Sequence, residues 1–280
     1  MPAIDLQRLQ KQVSELRELI GFPYDFLRKF HEILVFHNHW VLRQSSNKTP
    51  RTLLHSYQVP AQVIRQIELG VLPVVEAYPH QGLSLADHLW QDDFIESREF
   101  ACSILGQLPI SASKEVKDRI LTWADPDLDR AALDALITKA ALRLRTENPE
   151  FWETIVLDLL SHPDQNFQNI GLKAIADVII DKNFTRVPSL FKLVRPYLQS
   201  PKDHLRASLA DTIAALAHRT PTETLYFLKE ILSGTPGEEV EITLRRYAAF
   251  FQKDLQKNLL DAVKDHEQFR KQSELSKNLK

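Results

Sequence analysis

The sequence predicts an all-α protein, a HEAT-like or armadillo-like superhelix of antiparallel helix pairs. Three observations carry that expectation. Apolar residues recur at helical spacing along most of the chain, glycine is scarce while prolines fall between the periodic segments, and one stretch superposes on others. Seven glycines against 15 prolines in 280 residues leave little turn material for a sheet protein, whereas proline suits the first turn of a helix. Segments 91–108 and 161–178 align without gaps on 199–216 at offsets of 108 and 38 residues, and 234–251 joins at 35. Phe100, Ile170 and Ser208 then share a column, as do Ala101, Gly171, Leu209 and Leu244. Leu105, Ile175, Ile213 and Ala248 form another, and Leu108, Val178 and Leu216 a fourth. A helix–turn–helix period of this length marks a helical repeat array: one hairpin cannot bury its apolar faces alone, but stacked neighbours can.

The first element follows from Leu6, Leu9, Val13, Leu16 and Ile20, a heptad seam stopped by Gly21 and Pro23. Two heptads are too few for an isolated coiled coil, so a helix capping the stack is expected, with a dimerisation zipper as the alternative. A second helix is expected from Pro23 to about Arg43, followed by the polar loop Ser45-Ser46-Asn47-Lys48-Thr49-Pro50. A helix from Pro60, with Val63, Ile64 and Ile67 on one face, is expected to end before Pro73, since proline breaks the hydrogen-bond ladder. First helices of the repeats fall at 113–123, 149–161, 187–199 and 221–232. The domain organisation read from this is an N-terminal helical cap at 1–50, a repeat array at 51–264, and a polar C-terminal tail at 265–280 that frays or forms a solvated terminal helix.

Composition narrows the function classes. With 44% apolar and 26% charged residues the chain is an ordinary globular one. The net charge of −2, from 35 basic and 37 acidic residues, means that any nucleic-acid contact must rest on a local patch. No apolar run reaches the ~18 residues of a membrane span and no leader pattern stands at the start, so the cytoplasm is the expected location and no membrane partner is expected. The lone Cys102 excludes a disulfide within the chain and reads as a small buried residue. Phosphate-binding glycine loops, the nucleophile elbow and the zinc-protease helix motif are all missing, and no cofactor is expected. His31, His37 and His39 lie close in sequence, but residues two apart on a helix point apart and make a poor metal site.

The segment Leu85-Ala86-Asp87-His88-Leu89-Trp90, followed by Glu96-Ser97-Arg98-Glu99-Phe100-Ala101, resembles the DNA alkylation-repair glycosylases built on HEAT-like repeats. Arg219-Thr220-Pro221-Thr222-Glu223, running into Phe227-Leu228, is similar to that family's closing repeats. The resemblance covers roughly residues 60–232. It implies a concave face that holds duplex DNA and excises cationic methylated purines, with a carboxylate steadying the sugar cation as the base departs. The family's Trp-x-x-x-Asp pattern falls on Trp123 and Asp127, which the resemblance makes the catalytic pair. Asp125-Pro126 reads equally as the start of the next helix, with Asp125 as N-cap. The family's Asn-Trp-x-Arg-Arg segment falls on Asn166-Phe167-Gln168-Asn169-Ile170, where phenylalanine replaces tryptophan and both arginines are gone. Asparagine cannot supply the lost phosphate-gripping charge.

If second helices line the concave face, one polar column contains Arg98, Gln168, Arg206 and Glu241 and the next Ser103, Lys173, Asp211 and Arg246. Their mixed signs fit ion pairs and hydrogen bonds between repeats as well as a ligand groove. The candidate nucleic-acid contacts are therefore Arg98, Lys173, Arg206 and Arg246, with Lys182, Arg186 and Lys202 as a second basic group. The expected function is a binding protein related to the alkylation-repair glycosylases, holding duplex DNA weakly or another protein, with little or no catalysis. An active DNA-alkylpurine glycosylase and a protein-assembly scaffold without DNA contact remain the alternatives.

Overall fold

A computed structural model describes residues 5–38, 52–125, 127–234 and 237–278. His39, the loop Ser45–Pro50 and the expected end of the second helix lie outside the described residues. The helices are α1 (Leu6–Glu18), α2 (Pro23–Asn38), α3 (Ala61–Ala77), α4 (Pro79–Trp90), α5 (Ile95–Gln107), α6 (Ser113–Trp123), α7 (Arg130–Ala135), α8 (Leu142–Glu147), α9 (Pro149–Ser161), α10 (Gln165–Ile180), α11 (Val187–Gln199), α12 (Arg206–Arg219), α13 (Pro221–Gly234), α14 (Glu238–Tyr247) and α15 (Lys253–Asn278). A π-helical turn, Leu136–Ala140, joins α7 to α8. The fold class is all-α. Among the described residues the one strand-like pairing is an isolated bridge between His55 and Phe94. No helix among them is long and apolar enough to cross a membrane. The chain packs as two compact units, 1–155 and 156–280.

In the first unit α1 packs on α3, α2 on α4, and α5 against α3, α4 and the π turn. Leu9, Val13, Leu16 and Ile20, the seam of α1, are buried within the unit. Val13 lies over Gly70, where any Cβ would overlap its side chain. Phe26, Phe30 and Phe100 form the centre, the rings of Phe30 and Phe100 stacking at 5.3 Å. α3 does not stop at Pro73 but runs through it. The reason is packing: Val63, Ile67, Val71 and Val75 are all fully buried at i,i+4 spacing on both sides of the proline, and that continuous apolar face outweighs one lost backbone hydrogen bond. Cys102 is buried, and burial pushes its thiol up from the ordinary value.

In the second unit the aligned segments 161–178 and 199–216 fall mainly on α10 and α12. α10 and α12 lie side by side and in the same direction. Near their N-termini the Ser208 hydroxyl donates to Asn169 Oδ1 at 2.7 Å, and midway Thr212 Oγ1 donates to the Leu172 carbonyl at 3.2 Å. The apolar residues of the aligned columns, Ile170, Ile175, Val178, Leu209, Ile213 and Leu216, are all buried. At the far end Arg219 donates to the carbonyls of Ile179 (2.6 Å), Asp181 (2.7 Å) and Phe184, closing the turn that leaves α10. The expected polar column is corrected at Glu241. Its carboxylate is 3% exposed and covered by α15, whose Arg270 grips it through Nε (3.1 Å) and Nη2 (3.0 Å) beside His266 Nδ1 (2.9 Å). α15 continues unbroken past residue 264, and part of the polar terminal stretch is therefore a structural partner of α14.

Candidate functional site

The candidate catalytic pair sits where α6 ends. Trp123, its last residue, is 8% exposed because its indole stacks on Trp90, the last residue of α4, at 4.5 Å with 5° between the planes. The Arg98 guanidinium lies 5.6 Å from the Trp90 ring, and its Nε donates to the Asp92 carbonyl at 2.9 Å. The order is therefore Trp123, Trp90, Arg98, with only the half-buried Trp90 and Arg98 at the surface.

Beyond Trp123 the backbone turns. Asp125 Oδ1 accepts from the Asp127 N–H at 2.8 Å, and the Leu128 N–H donates to the Asp125 carbonyl at 3.0 Å. The helix starts later than Asp125 would place it. α7 begins at Arg130 with Asp129 as N-cap, accepting from the N–H groups of Ala131 (2.9 Å) and Ala132 (3.3 Å). Asp129 prevails because it also accepts the Leu53 N–H at 2.8 Å, anchoring the 52–60 segment. Burial works to raise its carboxyl, but Leu53, Thr52 and the two capping N–H groups together hold it below the ordinary value. Leu128 turns inward and packs with Trp90 and Leu54 on Ile95, Ala131 and Ala132. Asp127 is thus carried on an exposed turn next to the apolar floor of the indole stack, its carboxylate meeting no side chain among the described residues.

The candidate cations separate into three kinds. Arg98 in the first unit is fixed by Asp92 and Trp90. In the second unit Lys173 is half-buried and Arg186 is half-buried, each with partners of its own. Arg206 is paired to Asp203, while Arg246, Lys182 and Lys202 are exposed. Burial lifts the Tyr247 hydroxyl to about 12, and the charges of Arg206 and Arg246 pull the other way. Lys182 and Lys202 are not brought together. One follows the C-terminus of α10 and the other precedes the N-terminus of α12, and because those helices run parallel the two lie at opposite ends of a 14-residue helix, ~20 Å long. Gln168, expected on the same polar column, is 9% exposed and donates to the His162 carbonyl at 2.9 Å.

The positions of the missing arginines are built into packing. Ile170 is 5% exposed, and Asn169 accepts from Ser208 while donating to the Gln165 carbonyl at 3.2 Å. Of the clustered histidines, His37 is buried with Nε2 3.3 Å from Gln12 Oε1, and burial followed by the charge of Arg8 lowers it. His31 lies 2.8 Å from the Tyr57 hydroxyl and 3.1 Å from Asp92. No group of three or more His, Cys, Asp or Glu side chains among the described residues is placed to hold a metal ion. Sequence reasoning passed over Trp90 as a stacking partner. The only signal was its place in the Leu-Trp pair, and nothing in a one-dimensional pattern brings the ends of α4 and α6 together.

No curated protein and no solved structure matches the chain. The DNA alkylation repair enzyme family profile matches residues 44–250, most of the sequence and all of the region holding the Trp123–Trp90–Arg98 stack, Asp127 and the α10–α12 pair. On that match, this chain belongs to the DNA alkylation repair enzyme family.

Proposed function

We propose that this protein is a duplex-DNA-binding member of the family that releases damaged bases slowly or not at all. The commitment of Asn169 to the α10–α12 contact, with the burial of Ile170, is the observation that carries this reading. Where the glycosylase pattern supplies two cations to the backbone of DNA, this chain supplies an inter-helix hydrogen bond and a core side chain. Trp123 supports the same conclusion, since an indole stacked beneath Trp90 is spent on packing and has little face left for a nucleotide. Losing preorganised charge stabilisation lowers rates by roughly 100–1,000-fold per donor.

Binding itself rests on the exposed cations. Arg206 is paired with Asp203, and Arg246, Lys182 and Lys202 are exposed. Two or three phosphate contacts give a slope of roughly −2 to −3 in log affinity against log salt. Fluorescence anisotropy of a short duplex across a salt series, for wild type and for the Arg206→Ala, Arg246→Ala double variant, measures it. A shallower slope in the variant supports the contacts, and no binding at low salt hands the protein to the scaffold reading.

The exposed carboxylate of Asp127 favours a second reading, an active glycosylase. Base release from methylated duplex DNA decides between the two. Robust release by wild type that disappears in Asp127→Asn, with the fold intact, establishes the enzyme.

A further inference from the structure

α15 begins beyond residue 250, where the family match ends, and packs on α13 and α14. It is fastened in two ways. One fastening is buried: Leu259 and Val263 are fully covered, and the Glu241 carboxylate is gripped by Arg270 and His266. The other stands in solvent. Arg245 Nη2 donates to Glu267 Oε2 at 2.9 Å, with the Arg245 side chain 51% exposed and that of Glu267 29% exposed.

The two fastenings do different things. Breaking the buried one strands a carboxylate in the core, so it secures the helix. The exposed pair adds little to stability, because water and salt screen it. Its effect is local and electrostatic. Glu267 Oε1 accepts from Lys271 Nζ at 2.8 Å, and Lys271 and then Arg245 hold the Glu267 carboxyl below its ordinary value. Arg245 therefore faces a full negative charge at neutral pH.

Arg245 and Arg246 follow one another in the last turn of α14. Consecutive helical positions diverge by about 100°, so Arg246 stands exposed while Arg245 reaches α15. Arg246 is one of the cations on which DNA binding rests. A strand held by Arg246 comes within reach of the neighbouring guanidinium, and a carboxylate there repels it. A guanidinium freed of that carboxylate offers phosphate a two-pronged donor.

We propose that Arg245 is a further phosphate contact and that Glu267 of α15 competes with DNA for it, so that the terminal helix lowers the affinity for duplex. This rests on the DNA-binding reading, and the test separates the two. Duplex anisotropy across a salt series is measured for the full chain, for Glu267→Gln, for Arg245→Ala and for the double variant. Neither side chain is in the core, and circular dichroism checks that each variant is folded. Glu267→Gln keeps the buried fastening and is expected to bind roughly two- to fivefold more tightly at low salt, the range of an exposed pair. Its log–log slope is expected to steepen by about 0.9, one phosphate. In the Arg245→Ala background the same change is expected to gain nothing. Glu230→Gln breaks the Arg195–Glu230 pair of α11 and α13 (2.9 Å) with the same change of net charge, and is expected to leave affinity unaltered. An equal gain in Glu230→Gln would reduce the effect to net charge, and a gain that persists without Arg245 would pass it to Lys271. Either overturns the assignment, as does unchanged binding by Glu267→Gln when wild type binds. No duplex binding by wild type and by Glu267→Gln alike removes the DNA-binding reading itself, and this inference with it.

Discussion

Ser208 donates its hydroxyl to Asn169 across the α10–α12 contact, at 2.7 Å, in the position where the glycosylase pattern has its first arginine. The next residue, Ile170, is 5% exposed. Rebuilding the pattern by Asn169→Arg with Ile170→Arg is therefore expected to damage the second unit before it creates activity. Ile170→Arg puts an unpaired charge into the core, a change of several kcal/mol. Asn169→Arg alone removes one inter-helix hydrogen bond, about 1 kcal/mol. Urea unfolding of each single variant checks the order, and equal midpoints for both would contradict it.

Gly106 lies against the backbone of the π turn, and any Cβ there would overlap the Lys139 carbonyl oxygen. Alanine improves intrinsic helix propensity by about 1 kcal/mol, so a bland site would gain from Gly106→Ala. Here the obstacle is backbone, which cannot rotate away as a side-chain tip does. A net loss of about 1–3 kcal/mol is expected. A raised melting temperature in Gly106→Ala would mean that the two segments stand farther apart.

Trp123 is named by the family pattern for chemistry, yet its surroundings are those of a core residue. Trp123→Ala is expected to destabilise the first unit by about 3–5 kcal/mol, and any loss of DNA binding in that variant would follow from unfolding. Trp90→Ala removes the surface member of the stack and frees Arg98 from its aromatic contact. Comparing both by near-ultraviolet circular dichroism and duplex anisotropy separates the roles. A folded Trp123→Ala that alone loses binding would return Trp123 to the interface.

Acid sensitivity is expected at Glu241. Burial acts to raise its carboxyl, but Arg270 and His266 outweigh burial and hold it below the ordinary value of 4.5. A carboxyl with a lowered folded-state value binds fewer protons folded than unfolded. Its contribution is complete above 4.5 and is lost as pH falls through the folded-state value. The wild-type urea midpoint is thus expected to drop more steeply below pH 4.5 than that of Glu241→Gln, while the variant starts about 3 kcal/mol lower at neutral pH. Parallel pH profiles would leave Glu241 without this role.

Periodicity exposed most of the fold. The helices at 113–123, 149–161 and 187–199 stand at those bounds, and the apolar residues of the aligned columns are buried. What the pattern hid was set by contacts between distant segments. Pro73 stays inside α3 because burial continues on both sides of it. Asp129, not Asp125, caps α7 because it also holds Leu53. Glu241 looks like a groove residue until α15 covers it. The candidate site was legible as residue types at Trp123, Asp127 and Arg98. The stacking of Trp90 and the pairing of Arg245 with Glu267 were not, since both depend on which helices meet.

Arg219 has a consequence for how the chain assembles. Its guanidinium joins carbonyls 35 to 40 residues earlier, at the end of α10 and in the turn that follows it. A nascent chain that has reached only the end of α11 therefore exposes an unfinished turn, its oxygens facing water until the last residue of α12 arrives. The turn after α10 thus waits for the end of α12, and this part of the second unit resists piecemeal growth. Fragments cut before residue 219 are expected to be molten around α10, and those cut after it to be ordered there.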